Sequence, residues 1–326
     1  MSIQYTDDSN QIDFCKVTNL LNTFGGEETN EVHQVMRAFL DSAYAVYAID
    51  RDEVVGVCRA LSDDLEWTLV SDLAVSDQTD REEVTGTLLR MFIERFKGQE
   101  IFTYADSAYY DLLEAQGFFR SKNSFTVSGE VGNLEVRAGK EANFLPLGYR
   151  FEHEYEKVPK GFPSHAVSEQ KEDIQLRYTD SRDGIDYEEV AELLANAFQH
   201  SKKDSGIIRT VFEGSRFVQF AFDRDRLIGC ARAESDGVRQ GLILNVAVDP
   251  AYQGHHLGME IISRLSAQMQ GENIFLNTHP GGVGFYNRTG FRRNKNAFLY
   301  PAHPDMPPEV KRGFYLPKGY RYIDEY

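Results

Sequence analysis

Between Ile185 and Phe198, apolar residues return at Ile185, Val190, Leu193, Leu194 and Ala197, the spacing of an amphipathic helix with one buried stripe. A second helix is expected over about 204–213. "RFVQFAFD" and "RLIGCARAE" then read as two strands meeting at a turn over Asp223 to Asp225, and "GLILNVAV" is too apolar for an edge, so it is expected at the centre of a sheet. After the loop "DPAYQGHH" the pattern turns helical again, with Ile261, Ile262, Leu265 and Met269 on one side. "NIFLNT" is the next strand, "GGVGFYNRTG" a short helix stopped by Gly290, and "FRRNKNAF" the strand that follows. With a first strand over 175–179, this is a mixed α/β (α+β) unit.

The same pattern occurs twice. "IQYTD" at Ile3 matches "LRYTD" at Leu176, and "IDFCKVTNLL" at Ile12 matches "IDYEEVAELL" at Ile185, a shift of 173 residues. That shift also pairs "GVCRALSD" with "GCARAESD" and "RSKNSF" with "RNKNAF". Near the ends it falls to 171, where "LPLGYRFEHEY" answers "LPKGYRYIDEY". The chain is therefore expected to hold two copies of one domain, 1–156 and 174–326, joined by a linker over 157–173 that is rich in Pro, Gly, Ser and charge.

Charge narrows the partners. The net charge is −16, and residues 1–157 hold 14 Lys and Arg against 29 Asp and Glu, a balance of −15 that leaves −1 for the rest. Nucleic acid and anionic membrane would each require a basic face, so neither is expected as a partner. No window offers the roughly 20 apolar residues of a membrane span, and the start lacks a basic end followed by an apolar core, so a cytoplasmic location is expected. Cys15, Cys58 and Cys230 are far apart and odd in number, which suggests core thiols rather than disulfides or zinc.

The order of elements, "NVAVDPAYQGHHLG" running into a helix, and "FYNRTGF" about thirty residues later resemble the GNAT family of acyl-CoA N-acyltransferases, here duplicated in tandem. The family's loop pattern is Arg or Gln, two residues, Gly, one residue, then Gly or Ala. It falls on Gln253, Gly254, His255, His256, Leu257 and Gly258, with His256 in place of the internal glycine. A helix start has free N–H groups and a partial positive charge, and so binds an anion without basic side chains. The resemblance implies that the anion is the pyrophosphate of acetyl-CoA, approached closely at Gly254 and Gly258, with His255 and His256 contributing main-chain N–H groups. A metal is not expected, since adjacent histidines diverge at a helix entrance and a third ligand is missing. The first copy has Asp80, Arg81, Glu82, Glu83, Val84 and Thr85 at these positions, where two glutamates would repel a pyrophosphate and Thr85 crowds the turn. Leu113 stands opposite Tyr286 and Tyr109 opposite Gly282, so the first half reads as a catalytically silent copy.

The resemblance further implies that an amine attacks the thioester directly while Tyr286 protonates the leaving thiolate; as a residue alone, Tyr286 also reads as a core aromatic. Val246, Ala247 and Val248 would offer main-chain groups to the pantetheine amides, and Gly282 would leave space beside the cofactor. His279 stands where the family places an asparagine that holds the cofactor arm, and is either a donor to that arm or a surface histidine ahead of Pro280. No carboxylate takes the place of the family's glutamate base, since "GLILNV" has Asn245 there, so deprotonation through water is expected, with Glu234 and Asp236 as neighbouring candidates. One of Arg288, Arg292, Arg293 and Lys295 is expected to meet the adenosine 3′-phosphate or to be solvated. The acceptor pocket is expected among Phe198, His200, Phe212, Tyr315 and Tyr326, and the acid balance leans towards a cationic amine on a small molecule or peptide. Two other readings stand beside the acetyltransferase: a noncatalytic acyl-CoA-binding regulatory protein, and a tandem structural module that binds a protein partner. An oligomer is compatible with all three.

Overall fold

The computed structural model describes residues 3–24, 30–127, 143–146, 149, 151, 174–302 and 313–322. The linker expected over 157–173 lies outside them, as does Tyr326. In the first half the chain runs β1 (Gln4–Thr6), α1 (Phe14–Phe24), α2 (Val32–Leu40), β2 (Tyr44–Asp50), β3 (Glu53–Ser62), β4 (Trp67–Val75), α3 (Arg81–Arg95), β5 (Glu100–Tyr104), α4 (Tyr110–Ala115), β6 (Phe119–Arg120) and β7 (Ser124–Val127). The second half repeats this as β8 (Leu176–Thr179), α5 (Tyr187–Phe198), α6 (Ser205–Gly214), β9 (Phe217–Asp223), β10 (Arg226–Ser235), β11 (Gln240–Val248), α7 (Leu257–Ala267), β12 (Asn273–Asn277), α8 (Val283–Tyr286), β13 (Arg292–Arg293) and β14 (Ala297–Tyr300). The helices and strands expected from periodicity are present, and "GLILNVAV" lies mid-sheet as β11.

The copies do not keep their own last strands. One seven-stranded sheet has the order β1-β2-β3-β4-β5-β14-β6, the other β8-β9-β10-β11-β12-β7-β13. Strand β7 pairs with β12, Phe125 opposite Leu276, and β14 pairs with β5, Phe298 opposite Thr103. "FRRNKNAF", expected as one strand, is thus broken: Arg292–Arg293 edges one sheet and Ala297–Tyr300 enters the other. The break is held by buried arginines. Arg120 Nε donates to the Lys295 carbonyl at 2.6 Å, and Arg293 Nε donates to that of Lys122. Their ends reach the carbonyls of Tyr320 and Tyr149, 3.2 and 3.3 Å away. Of the cations considered for the adenosine 3′-phosphate, Arg293 and Lys295 are buried at this crossover, Arg293 over the Phe151 ring at 4.7 Å and Lys295 over the Tyr322 ring at 5.5 Å.

Each sheet is covered on both faces. In the second half α5 and α6 bury Val190, Leu194 and Phe212 against one face, while α7 and α8 bury Ile261, Leu265 and Tyr286 against the other. The two sheets also share a core, where Leu61, Leu69, Phe102 and Leu299 meet Leu242, Leu244, Phe275 and Tyr315, and the rings of Tyr104 and Phe275 lie 4.5 Å apart. Tyr315 belongs to this core, and Phe212 is fully buried. Cys58 and Cys230 are buried, but Cys15 is exposed, because α1 turns it away from the sheet.

Candidate functional site

Where β11 leaves its neighbour, a bulge changes its direction. Arg232 pairs with Leu244 and Cys230 with Ala247, so Asn245 and Val246 stand opposite Ala231 alone, and Asn245 takes φ 52°. Such backbone is tolerated best by Asn and Asp among non-glycine residues, and bulges bend the strand that carries them. Parallel pairing of β11 with β12 runs from Gln240 opposite Asn273 to Leu242 opposite Phe275. Past that point the strands part, and Val246, Ala247 and Val248 line one side of the opening. The Val246 and Val248 side chains pack towards α7 and α8, and Ala247 packs towards α5 and α6.

The following loop is built from its own residues. Asp249 Oδ1 accepts from the Ala251 N–H at 2.8 Å, and buried Tyr252 donates its hydroxyl to Asp223 at 2.8 Å. Gln253 Nε2 returns to the Val248 carbonyl at 3.2 Å, tying the loop to the strand end. Gly254 then takes φ 89° and His256 φ 59°. His256 thus stands in the left-handed conformation that explains a glycine in the family pattern, at a cost of about 1–2 kcal/mol for a side chain. Replacing His256 by glycine should leave the melting temperature level or slightly raised, whereas His256→Val should cost about 1–3 kcal/mol in denaturant unfolding.

Helix α7 begins with no side-chain cap at His256, so its first N–H groups face outward. Gly258 keeps this end narrow, since a Cβ there would sit 3.1 Å from the Phe285 ring. Beside it a cleft of about 470 Å³ is lined by Tyr178, His255, His256, Met259, Glu260 and Ser263. The first half treats the matching helix oppositely. Asp80 Oδ1 accepts from the Glu83 N–H at 3.0 Å, so the helix is capped by its own carboxylate. Arg81 lies over the Tyr109 ring at 5.5 Å, and Tyr109, buried where the second copy has Gly282, faces the main chain of Val75, the counterpart of Val248. The slot is filled from within. In the sequence this closure is carried by an Asp directly before a helical run and a Tyr in place of a Gly.

On the far side of the opening, α8 places Tyr286 in a cluster with Phe285, Phe291 and Phe125, the last contributed by the first half with its ring 5.6 Å away. Burial raises the Tyr286 phenol above its ordinary value, so it stays protonated at neutral pH. His279 precedes the turn Pro280–Gly282, and a Cβ on Gly282 would collide with the Thr278 hydroxyl. Arg288 is exposed, and Arg292 lies 5.1 Å over Phe144.

Beneath α5 and α6, Ala191, Leu194, His200, Lys203, Ile208 and Asn245 enclose a small cavity. Of the two candidate carboxylates on and after β10, Asp236 is fully buried, bonded to the N–H groups of Val238, Arg239 and Gln240 and paired with Arg59 at 2.7 Å. It is committed to structure. Glu234 accepts from Ser215 at 2.7 Å and Arg232 at 3.2 Å, and burial pushes its carboxyl up to about 7 against the pull of Arg232. Among the described residues no group of three or more His, Cys, Asp or Glu could hold a metal ion, and no helix is long and apolar enough to cross a membrane.

A family model described as the acetyltransferase (GNAT) domain matches residues 213–293, from the end of α6 to β13. Over these residues the chain is similar to the GNAT family. Serotonin N-acetyltransferase 2, chloroplastic, of Oryza sativa is 39% identical over 75 residues, 22% of this chain and 38% of that protein. GCN5-related N-acetyltransferase 1, chloroplastic, of Arabidopsis thaliana is 29% identical over 138 residues, 40% of this chain and 68% of that protein. The match to the rice relative thus covers well under half of its length. The crystal structure of a GCN5-related N-acetyltransferase from Sphaerobacter thermophilus shares the fold over 91% of this chain and 94% of its own, with a TM-score of 0.51 and 12% identity.

Proposed function

We propose that the second half transfers an acetyl group from acetyl-CoA to a primary amine, and that the first half is a noncatalytic partner. The observation that carries this reading is the contrast between two equivalent helix starts. That of α7 is uncapped and cleared by glycine beside a strand opening, whereas that of α3 is closed by Asp80, Arg81 and Tyr109. The thioester would supply the acetyl group. Main-chain N–H groups at His256, Leu257 and Gly258 suit a diphosphate, and main-chain groups of β11 beyond the bulge suit an amide-bearing arm laid along them as an added strand.

In this reading Tyr286 holds the proton that the departing thiolate takes up. A thiol of ordinary pKa about 8.5 is a stronger acid than the raised phenol, so the hydroxyl serves by donating a hydrogen bond to sulfur as the C–S bond breaks, and the proton released by the amine, relayed through water, makes good any proton it gives up. The attacking amine loses its proton to water, with Glu234 as the carboxylate on the acceptor face of the sheet able to receive it. The amine's own class is left to the acceptor cavity, where Lys203 and His200 sit beside apolar Leu194 and Ile208.

The test is a calorimetric titration with acetyl-CoA followed by a screen for CoA release with a panel of primary amines. Tyr286→Phe should lower kcat by about 100-fold with acetyl-CoA affinity kept within a few fold. Acetyl-CoA binding without CoA release by any amine, together with no effect of Tyr286→Phe, would favour the regulatory reading. No heat of binding would favour the structural one.

A further inference from the structure

A buried guanidinium ties the acceptor side of the second half to the first half. Arg232, on β10, is fully buried and spends its nitrogens in three directions. Nε donates to Asn245 Oδ1 at 2.6 Å, Nη1 donates to Glu234 at 3.2 Å and to Ser215 Oγ at 3.2 Å, and Nη2 pairs with Asp63 Oδ2 at 2.5 Å. Asn245 is both the bulge residue and part of the cavity wall. Asp63 comes from the β3–β4 turn of the other half. Its second oxygen accepts from the N–H groups of Leu65, Glu66 and Trp67 at 3.0, 2.8 and 2.9 Å, so its position is fixed by its own turn. Glu66 of the same turn pairs with Lys203, a second member of the cavity wall.

We propose that Asp63 is a positioning residue for the acceptor end of the site: by holding Arg232 it fixes the Asn245 amide at the bulge and the Glu234 carboxylate beside it. This rests on the reading that the second half carries the chemistry. The pseudo-symmetric counterpart supplies the comparison. Arg59 likewise pairs with Asp72, at the bulge of β4, and with Asp236 across the interface, but Leu61 stands where the second half has Glu234. The cross-pairs therefore tie the two halves together symmetrically, while a titrating carboxylate hangs from only one of them. A structural clamp alone does not require Glu234.

The coupling has a definite sign. The groups facing Glu234 are Arg232 on its own strand, the Ser215 hydroxyl and Arg216 N–H from the end of α6, and Asp63 from the first half. Burial holds the Glu234 carboxyl at about 7, Arg232 opposes this, and the like charge of nearby Asp63 adds to it. Removing the Asp63 charge leaves Arg232 with one carboxylate fewer to neutralise and lowers the Glu234 midpoint, whereas a second carboxylate at Asn245 raises it.

Carbon-13 NMR of the full chain labelled at glutamate carboxyls, with Glu234 assigned by Glu234→Gln, reads this without acetyl-CoA or an acceptor. In Asp63→Asn the midpoint should fall by about one pH unit, and in Asn245→Asp it should rise by a comparable amount. Asp236→Asn, which removes the mirror-image pair, should lower the melting temperature yet leave the Glu234 midpoint in place. A midpoint unmoved by Asp63→Asn, or moved as far by Asp236→Asn, overturns the proposal. Should Asp63→Asn not fold, Asn245→Asp decides alone, since it copies the Arg59 and Asp72 arrangement already present in the first half. Failure of acetyl-CoA to bind in calorimetry would instead overturn the assignment of the catalytic half and leave this titration unaffected.

Discussion

Gly258→Glu is expected to weaken acetyl-CoA binding by at least about 100-fold in calorimetric titration, the largest loss foreseen for any single change at the donor end. Two effects add. A Cβ at 258 would lie 3.1 and 3.2 Å from atoms of the Phe285 ring, so the ring must shift at the floor of the opening. A carboxylate in the first turn of α7 would also meet the diphosphate at short range, and two like charges about 5 Å apart repel by about 3 kcal/mol at an effective dielectric of 20. That alone is about two decades in Kd. Gly258→Ala carries the steric part without the charge and should cost tenfold or less, so the gap between the variants isolates the electrostatic share. Thr85→Gly, at the matching position of the first half, should change neither affinity nor stoichiometry, because Asp80, Arg81 and Tyr109 still close that slot. Binding that survives Gly258→Glu would remove the start of α7 from the site.

Much of this site is written locally. The strand of "NVAV", the Asp-Pro turn, the loop and the helix behind it are set by neighbours in sequence, and the shift of 173 residues let one copy act as a control for the other. What the sequence hid depends on residues far apart along the chain. Arg59 and Arg232 sit in apolar strands, and each pairs with an aspartate of the opposite half. Such pairs have no periodicity and no motif. Their burial is tolerable only because two or more acceptors converge on each guanidinium, which is a property of the assembled interface. The Asp80 cap, by contrast, was legible in principle, since Asp before "REEV" is an ordinary N-cap signal.

The duplication that revealed the two domains also concealed how they interlock. Phe125 and Phe298 are equivalent by the repeat shift, so a strand bearing either one satisfies the apolar face of either sheet. Local pattern is silent on which half fills which slot. The choice is made at the crossovers, where Arg120 and Arg293 each hold a carbonyl of the opposite half. Once made, it binds the two halves into one cooperative unit, and it gives the acidic first half, whatever its own chemistry, a share in the second half's core.

Phe125→Ala should therefore cost about 3–5 kcal/mol in denaturant unfolding, as for other fully buried aromatic truncations, and the damage should appear in the half that does not encode it. Phe125 lies on β7 between β12 and β13, and its ring faces Tyr286 at 5.6 Å. Hydrogen exchange should rise in the peptides of β12 and α8, and the mobility given to Tyr286 should lower kcat more than acetyl-CoA affinity. Phe298→Ala, where the ring lies 5.0 Å from Tyr110, should cost a similar amount while loosening β5 and α4 instead. The pair of variants separates exchanged from unexchanged strands, because a chain that kept its own last strands would show the two exchange patterns reversed. It also separates stability from chemistry: both variants lose stability, but only Phe125→Ala unpacks the tyrosine that stands at the opening between β11 and β12.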